Sequence, residues 1–296
     1  HLDDGQPHYL CANADEGEPG TFKDRWILEN APHLLLESML IAAYALQVRH
    51  AFVYIRGEFD LPYRRLQAAI EEAYAAGYLG KPLHGTEFVM DLVIIQGAGS
   101  YVCGEASGLL TSIEGKKGYP RNRPPRLTVR GLYQRPTVIN NVETLSNIAG
   151  IINHGSAAFR AVGTAKNPGT RLISISGHIA RPGVYEIEIG YPWKRLIYDD
   201  CGGMMDGAAL KCVIPGGIST KVLTAAEIEN LNLDNNEVEI TSKVAVRLRG
   251  GLRASDVVAR TGGDEFLMIL PQTDVDGARL LAERLRGEIA ERPLLV

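Results

Sequence analysis

The stretch from Phe88 to Ile95 is almost continuously apolar, and the turn Gly97-Ala98-Gly99 follows it closely. A strand that is apolar on both faces is typical of a parallel sheet covered by helices on both sides. A short apolar run from about 51 to 56 indicates another strand, and helices are expected over about 61 to 76 and 105 to 113. The sequence therefore predicts an α/β fold with a layered, mostly parallel sheet.

Two further helices have clear end signals. Proline at the first position favours a helix over residues 32–46, with Asn30 as its candidate cap. A second helix is expected over residues 142–153, where apolar residues recur with helical spacing. Asn140 or Asn141 is expected to cap it.

The composition changes near Asn167-Pro168-Gly169. Alternating runs at 172–177 and 184–189 predict a small β-rich unit. The polar stretch 227–239 separates this unit from a last segment, which is expected to contain a helix, a hairpin over 257–270 and another helix. We expect three domains, over residues 1–165, 166–234 and 235–296.

Charge and hydropathy exclude two classes of protein. The 296 residues contain 31 Lys and Arg against 35 Asp and Glu, so the net charge is −4 and does not suit nucleic-acid binding through bulk positive charge. The longest apolar run, 34–46, contains Glu37 and is shorter than the roughly 20 residues of a membrane-spanning helix. The sequence starts at His1 without a signal peptide, and we expect that a preceding segment is missing.

The chain has four cysteines, which are too few for a disulfide scaffold of this size. No two of them have the spacing of typical zinc or cluster ligands. We expect buried thiols, and a four-cysteine metal site remains the alternative. They are Cys11, Cys103, Cys201 and Cys212.

The segment Asn13–Gly20 contains three carboxylates within four residues, at positions 15, 16 and 18. These carboxylates repel one another unless solvent or cations compensate them. The segment is either a solvated acidic turn or a loop whose carboxylate and amide groups bind sugar hydroxyls.

The segment Gly97–Glu105 joins the apolar strand to a helix. Its glycines let the backbone approach a ligand closely, and the N-terminus of the helix attracts phosphate. The third glycine of the dinucleotide fingerprint is missing, so a tight turn without a ligand remains open. No Gly-Lys-Ser/Thr follows, which excludes a phosphate-binding P-loop in this segment.

The segment 114–126, here called the basic loop, is rich in lysine, arginine and proline and contains Tyr119. A rigid cationic loop could hold the phosphates of a dinucleotide. The alternative is an ordinary solvated surface loop, and the net charge of the chain argues against nucleic acid as its ligand.

The ordered motifs resemble the flavin-carrying, NADH-oxidising subunit of respiratory NADH:quinone oxidoreductase, complex I, and its hydrogenase and formate dehydrogenase relatives. The resemblance covers about residues 9–230 and implies a Rossmann-like FMN- and NADH-binding domain. Within it, the β-rich unit resembles the β-grasp (ubiquitin-like, SLBB-type) ligand-binding domain of that family. The matching motifs are Ala12–Glu16, Glu18–Arg25, Gly97–Gly99, Tyr101–Glu105, Ser112–Gly115 and Asn140–Leu145.

The resemblance implies FMN and NADH as cofactors, with hydride passing from NADH to the flavin and no side chain acting as nucleophile or acid. The implied cofactor-binding residues are Asn13, Asp15, Glu16, Glu18, Tyr101, Gly104, Glu105, Asn140 and Asn141. Asn13, Asp15 and Glu16 would contact the ribityl chain and ring region of the flavin, and Glu18 would lie beside the nicotinamide. Tyr101, Gly104 and Glu105 would face the flavin. Asn140 and Asn141 would contact its phosphate end.

The sequence departs from the family pattern at several points. Ala106 replaces a second glutamate, Arg126 replaces a phenylalanine, and Arg123 stands where lysine is common. The family's upstream glycine-rich flavin loop does not occur in this sequence, so we expect weakened flavin binding. The closely spaced cysteines that hold an iron–sulfur cluster in the family do not occur either, so the usual electron exit is not expected.

The segment 253–266 resembles the signature of the diguanylate cyclases, the GGDEF domains. This resemblance implies metal binding at Asp264 and Glu265, and an inhibitory site for cyclic diguanylate at Arg253 and Asp256. The earlier half of that family's pattern does not occur, so we expect a partial GGDEF domain with a non-functional metal site and no cyclase activity.

The resemblances together predict a module like the flavin subunit of NADH dehydrogenase (quinone). Its implied partners are NADH and the other subunits of such a complex, without nucleic acid. We expect a cytoplasmic protein, peripheral to the inner membrane when assembled and touching the membrane only through the complex. The alternative is an inactive chimera or misjoined fragment whose partial GGDEF module at most binds cyclic diguanylate.

Overall fold

A computed structural model describes residues 5–217, 220, 222–229, 231–234, 257–260, 266–269, 280, 281 and 284. The strands are β1 (Tyr9–Ala14), β2 (His50–Ile55), β3 (Asp91–Gln96), β4 (Thr137–Asn141), β5 (Thr170–Ile175), β6 (Gly183–Glu188), β7 (Tyr191–Pro192), β8 (Cys212–Val213), β9 (Leu223–Thr224), β10 (Asn232–Leu233), β11 (Val257–Arg260) and β12 (Phe266–Ile269). The helices are α1 (Lys23–Asn30), α2 (Pro32–Leu46), α3 (Asp60–Ala75), α4 (Ala106–Ile113), α5 (Val142–His154), α6 (Ser156–Arg160), α7 (Trp193–Arg195) and α8 (Ala225–Ile228). A 3-10 turn, Tyr101–Gly104, precedes α4.

Four of the strands form one parallel sheet in the order β3-β2-β1-β4. In this sheet β1 lies between β2 and β4, so that Tyr9 is opposite both His50 and Thr137. Helices connect the strands, as parallel pairing requires. The predicted α/β fold with a parallel sheet is confirmed.

The inner strand β1 is a strand that the sequence analysis did not predict, since it treated the region from Asn13 onward as an acidic turn or a ligand-binding loop. Its residues include a cysteine, an asparagine and two alanines, which are not strong strand formers. Pairing on both edges and complete burial of Leu10 and Ala12 compensate for the weak local preference. Asn13 is therefore the last-but-one residue of a strand.

The strand β3 is shorter and more exposed than predicted. It begins at Asp91, and Val93 is 46% exposed. The expectation of burial on both faces is wrong because β3 lies at the edge of the sheet. The apolar residues before it, Phe88 and Met90, are instead buried in the core as loop residues.

Helices and loops cover the sheet on both faces. One face of β1, with Leu10, Ala12 and Ala14, belongs to a core shared with residues of α1, α2, α3 and α5. The opposite face, with Cys11, belongs to a smaller core shared with α4 and Leu132. The alternation follows from the two-residue period of a strand, and it directs Asn13 to the same face as Cys11.

The helix-end predictions had different outcomes. Asn30 does not cap α2: it is the last residue of α1, and its amide donates to the carbonyl of Trp26, 2.9 Å away. Asn141 does cap α5, because its Oδ1 accepts the backbone N–H of Glu143 at 3.0 Å. Gly155 follows the last residue of α5.

The chain divides into two compact units. The first comprises residues 1–162, 171–175 and 183–187, and so contains most of the two-stranded sheet β5-β6. The second comprises residues 163–170, 176–182 and 188–296, and in it Trp193, Leu196 and Cys201 are buried.

The second unit contains three antiparallel strand pairs among its described residues, β10-β7, β8-β9 and β11-β12. In the last pair Val257 lies opposite Ile269, which confirms the predicted hairpin for these two strands. The domain bounds given above remain a prediction. Among the described residues no helix combines the length and the apolar character needed to cross a membrane.

Candidate functional site

The carboxyl ends of β1, β2, β3 and β4 meet at one edge of the sheet, because all of the strands are parallel. The chain proceeds from β1 outward to β2 and β3 and then returns to β4 on the other side of β1. Such a reversal of strand order opens a crevice between the two neighbouring strands, and ligands of α/β proteins bind in crevices of this kind. We place the candidate site at the ends of β1 and β4, here called the crevice.

Asn13 joins the end of β1 to the 3-10 turn before α4. Its Nδ2 donates to the carbonyl of Gly104 at 2.9 Å, and its Oδ1 accepts the backbone N–H of Asp15 at 3.1 Å. Gly104 packs so closely that an added Cβ would lie 3.3 Å from the carbonyl oxygen of Asp15. The structure thus brings together three of the predicted site residues.

Glu16 caps helix α1. Its carboxylate accepts the backbone N–H groups of the first three residues of that helix, Lys23, Asp24 and Arg25, at 2.9, 3.0 and 3.1 Å. These groups have no partner within the helix, and a carboxylate also interacts favourably with the N-terminal end of the helix dipole. Burial and the nearby Asp24 raise the pKa of Glu16, while the amide hydrogen bonds oppose this shift.

Replacing Glu16 with alanine is expected to lower the free energy of unfolding by about 1–2 kcal/mol, the usual cost of a lost N-terminal cap. Glu16→Gln should cost less, because the amide oxygen still accepts hydrogen bonds from α1. Urea denaturation of both variants measures the difference. Equal stability of wild type and Glu16→Ala would show that the cap contributes nothing.

Asp15 is a buried carboxylate without a hydrogen-bonding partner for its side chain among the described residues. It is 9% exposed, and burial raises its pKa from 3.8 to about 6. Arg56 lowers this pKa and Glu58 raises it, each by a smaller amount than burial. A buried acid that the protein does not satisfy is typical of a ligand site.

Arg56 and Glu58 follow β2 and complete the electrostatic surroundings of Asp15. Arg56 Nη1 donates to the carbonyl of Glu16 at 2.9 Å, and Arg56 Nε donates to Glu58 Oε2 at 3.0 Å. The sequence analysis gave neither residue a role. Their position directly after a parallel strand was the available signal, since such positions meet at the carboxyl edge of the sheet.

Asn141 uses both of its amide atoms within the protein. In addition to capping α5, it donates through Nδ2 to Asp24 Oδ2 at 2.6 Å. Asp24 in turn forms an ion pair with Lys23 at 2.7 Å, and Lys23 forms a second ion pair with Glu143 at 2.8 Å. By contrast, no described residue forms a hydrogen bond with the side chain of Asn140, which lies next to Ala12 in the register of the sheet.

Glu18 and Tyr101 form a second contact between the two predicted motifs. The hydroxyl of Tyr101 donates to Glu18 Oε2 at 2.5 Å, and Tyr101 is 54% exposed. An added Cβ on Gly17 would lie 3.3 Å from the Tyr101 ring, so the glycine permits this approach. The pair lies on the solvent-exposed side of the site.

Glu105 caps helix α4. Its Oε2 accepts the backbone N–H groups of Ser107 and Gly108 at 2.8 and 2.9 Å. Its Oε1 accepts a hydrogen bond from Arg123 Nη2 at 3.0 Å. The carboxylate is therefore engaged by the protein on both oxygens.

The basic loop is fastened to α4 by Arg121. Its backbone N–H donates to Ser107 Oγ at 2.8 Å, and its Nε donates to Thr111 Oγ1 at 3.0 Å. Its Nη1 donates to the carbonyl of Gly131 at 2.8 Å, and Nη2 pairs with Glu114 at 2.8 Å. Arg121 thus holds the loop in place, although most of its residues are exposed, so both interpretations of this segment stay open.

The cysteines and the GGDEF residues complete the set of predicted site residues. Cys11, Cys103 and Cys201 are buried thiols as predicted, and burial raises the pKa of Cys11 to about 12. The prediction that Cys212 is buried is wrong, because this residue is exposed in the two-residue strand β8. No three His, Cys, Asp or Glu side chains of the described residues are arranged to hold a metal. The predicted residues Arg253, Asp256, Asp264 and Glu265 lie outside the described residues.

The fold defines an α/β protein whose candidate ligand crevice lies where the strand order reverses. Three family profiles match the chain: the Nuo51 FMN-binding domain over residues 1–150, the SLBB domain over 171–259 and the diguanylate cyclase GGDEF domain over 239–295. The first match covers half of the chain, and the chain belongs to that family. The resemblances drawn from the motifs are confirmed.

Individual relatives agree with this assignment. A subunit of NADH-quinone oxidoreductase from Rhizobium meliloti (strain 1021) is 48% identical over 225 residues, 76% of this chain and 53% of that protein. Mitochondrial NADH dehydrogenase (ubiquinone) flavoprotein 1 of Dictyostelium discoideum is 45% identical over 234 residues, 79% of this chain and 49% of that protein. The crystal structure of an NAD+-reducing NiFe-hydrogenase in the hydrogen-reduced state matches with a TM-score of 0.70 and 34% identity, over 84% of this chain and 44% of that chain. The protein spans about half the length of the curated relatives it matches.

Proposed function

We propose that the crevice binds FMN and that the bound flavin accepts hydride from NADH, as in the flavin-carrying component of an NADH:quinone oxidoreductase. The observation that carries the proposal is a pair of polar side chains at the crevice, buried Asp15 and half-buried Asn140, which form no hydrogen bond with a described residue, in a member of the Nuo51 FMN-binding domain family. Unsatisfied polar groups at a strand-order reversal suit a ligand that carries both hydroxyl and phosphate groups.

The side chains in and around the crevice divide into two groups. Asp15 is mostly ionised at pH 7, since its pKa is about 6, and it can accept hydrogen bonds from ribityl hydroxyls. Asn140 can donate or accept toward the same ligand. Glu16, Glu105 and Asn141, which were predicted to contact the flavin, would instead orient the loops around it, because each is engaged by the protein in this structure.

Bound FMN supplies the hydride-accepting chemistry, and the protein has to bind and orient the two cofactors. Glu18 and Tyr101 lie at the exposed side, where a nicotinamide would enter, and their mutual hydrogen bond fixes both side chains before it arrives. The preorganised loops reduce the entropy lost on binding.

The wider setting of the module is also a proposal. The relatives are subunits of NADH-quinone oxidoreductase or belong to an NAD+-reducing hydrogenase. We infer that this protein works with partner subunits of such a complex, at the cytoplasmic face of the inner membrane and without its own contact with the lipid.

Titration of FMN with the purified protein tests the function. We expect quenching of flavin fluorescence on binding, and anaerobic loss of the visible flavin absorbance when NADH is added. Asn140→Ala should weaken FMN binding by about tenfold, the effect of losing 1.4 kcal/mol. Glu87→Gln is a matched control, because Glu87 is exposed and precedes β3 at the opposite edge of the sheet.

The alternative, an inactive chimera, predicts a different outcome in the same titration. Flavin fluorescence would then stay unchanged at every protein concentration, and NADH would not bleach added FMN faster than it does without protein. Either result for the wild type would contradict the proposed function.

A further inference from the structure

The first turn of α1 is fastened to the end of β1. Glu16, two residues beyond that strand, accepts hydrogen bonds from the backbone of Lys23, Asp24 and Arg25. A displacement of the end of β1 would therefore move the N-terminus of α1 with it.

The same turn is fastened to the other side of the crevice by side chains. Asp24 Oδ2 accepts from Asn141 Nδ2 at 2.6 Å, at the junction of β4 and α5. Lys23 lies between Asp24 and Glu143, with ion-pair distances of 2.7 and 2.8 Å. The Asp24 side chain is only 4% exposed, so water does not weaken this pair as it weakens pairs on the surface.

The charge of Lys23 is maintained by its neighbours. Burial alone would lower the pKa of Lys23, but Asp24 and Glu143 raise it above its ordinary value. Lys23 therefore stays protonated throughout the neutral pH range.

The network continues into β5. Glu143 Oε1 accepts the backbone N–H of Leu172 at 2.6 Å, and the backbone N–H of Phe22 donates to Ser174 Oγ at 2.9 Å. Leu172 and Ser174 lie within the SLBB-matched segment, yet they belong to the first compact unit together with the crevice. The position of β5 is thus linked to the turn that joins the two sides of the crevice.

We propose that Lys23 and Asp24 are positioning residues that fix the separation of the ends of β1 and β4, and that Glu143 ties this separation to β5. The part of the proposal that concerns flavin affinity rests on the proposed function, whereas the part that concerns the two strand ends does not. Buried ion pairs with several hydrogen bonds specify geometry, because alternative arrangements leave a charge without a partner.

The test compares Asp24→Asn and the charge-neutral double variant Lys23→Met/Asp24→Asn, here called the brace variants, with Glu29→Gln. The control breaks only an exposed ion pair with Arg25 on the same helix. Hydrogen exchange should become at least about tenfold faster in both segments 12–16 and 139–143 in the two brace variants and stay unchanged in the control. FMN should bind about tenfold more weakly to the brace variants than to the wild type. The single variant Lys23→Arg, which keeps the charge, should retain most of the wild-type affinity.

The two readouts separate the possible failures. Unchanged exchange, or faster exchange in only one of the two segments, would overturn the brace even in a protein that binds FMN normally. Faster exchange in both segments of a protein that does not bind FMN would support the brace and overturn the proposed function. If Asp24→Asn does not fold, the same exchange comparison is made with Glu143→Gln, which alters only the ion pair between Lys23 and Glu143, and Lys23→Arg, which keeps the charge, serves as its control.

Discussion

Asp15→Asn is expected to raise the free energy of unfolding at pH 7 by about 2 kcal/mol and to weaken FMN binding by about tenfold. The stabilisation follows from burial, which raises the pKa of Asp15 from 3.8 to about 6 and therefore makes its ionised form costly in the folded protein. The loss of affinity follows from the weaker hydrogen-bond acceptance of an amide compared with a carboxylate. Opposite effects on stability and binding are characteristic of a ligand-binding residue.

The pH dependence of this effect has a definite sign. Asp15 binds its proton more tightly in the folded than in the unfolded chain, so the folded protein binds more protons between pH 3.8 and about 6. Stability contributed by this group is therefore lost as the pH rises through that window, and the full cost is present above it. The asparagine variant should gain nothing at low pH and its full advantage near pH 7.

Urea denaturation across this pH range measures the difference between variant and wild type. Because Glu16 also has a raised pKa, the difference and not the wild-type curve alone isolates Asp15. Asp206→Asn is a suitable control, since Asp206 is exposed and has φ of 55°, a conformation that asparagine also tolerates. A stability difference that does not change with pH would contradict the assigned cause.

Gly57→Ala is expected to destabilise the protein by about 2–3 kcal/mol, at the upper end of the usual cost of overpacking. An added Cβ would lie 2.4 Å from the carbonyl oxygen of Gly97, and both glycines follow paired strands, β2 and β3. The obstacle is backbone that is itself held, because the N–H of Gly97 donates to the carbonyl of Ile55 at 2.8 Å. The ends of the two strands would have to separate.

Gly150→Ala provides the matched comparison. Gly150 is an exposed residue within α5, and nothing lies within 4 Å of an added Cβ there. This substitution should stabilise the protein by up to about 1 kcal/mol, because alanine favours a helix more than glycine does. Urea midpoints of the two variants should move in opposite directions, and equal midpoints would show that the close approach of the two loops has no energetic consequence.

The sequence predicted much of the architecture because several elements carry their own local signal. The helix over 142–153 was expected from its apolar spacing and asparagine cap, and the structure places it at Val142–His154 with Asn141 as the cap. The central strand Tyr9–Ala14 escaped prediction, because its residues favour a strand only once two neighbours pair with it. Local preference and tertiary pairing disagree there, and pairing prevails.

The candidate site, like the fold, was only partly predictable from the sequence. Its motifs were found from the sequence, and the resemblance they carry is confirmed. The contacts that individual side chains make within the protein could not be predicted from the sequence. That Glu16 and Glu105 bind the flavin stays a prediction, and nothing in the sequence indicated that each of them also caps a helix. Arg56 and Glu58 belong to the site only because β2 ends beside β1.

The sequence by itself determined the family, much of the alternation of helices and strands, and most of the polar residues of the candidate site. These follow from patterns within short segments, where chemical type and spacing are sufficient. Only the tertiary structure decided which of these polar groups remain unsatisfied, since hydrogen bonding of a side chain depends on partners distant along the chain. Asp24 meets Asn141, 117 residues away, and this contact engages Asn141, whereas no described residue forms a hydrogen bond with the side chain of Asp15 or Asn140.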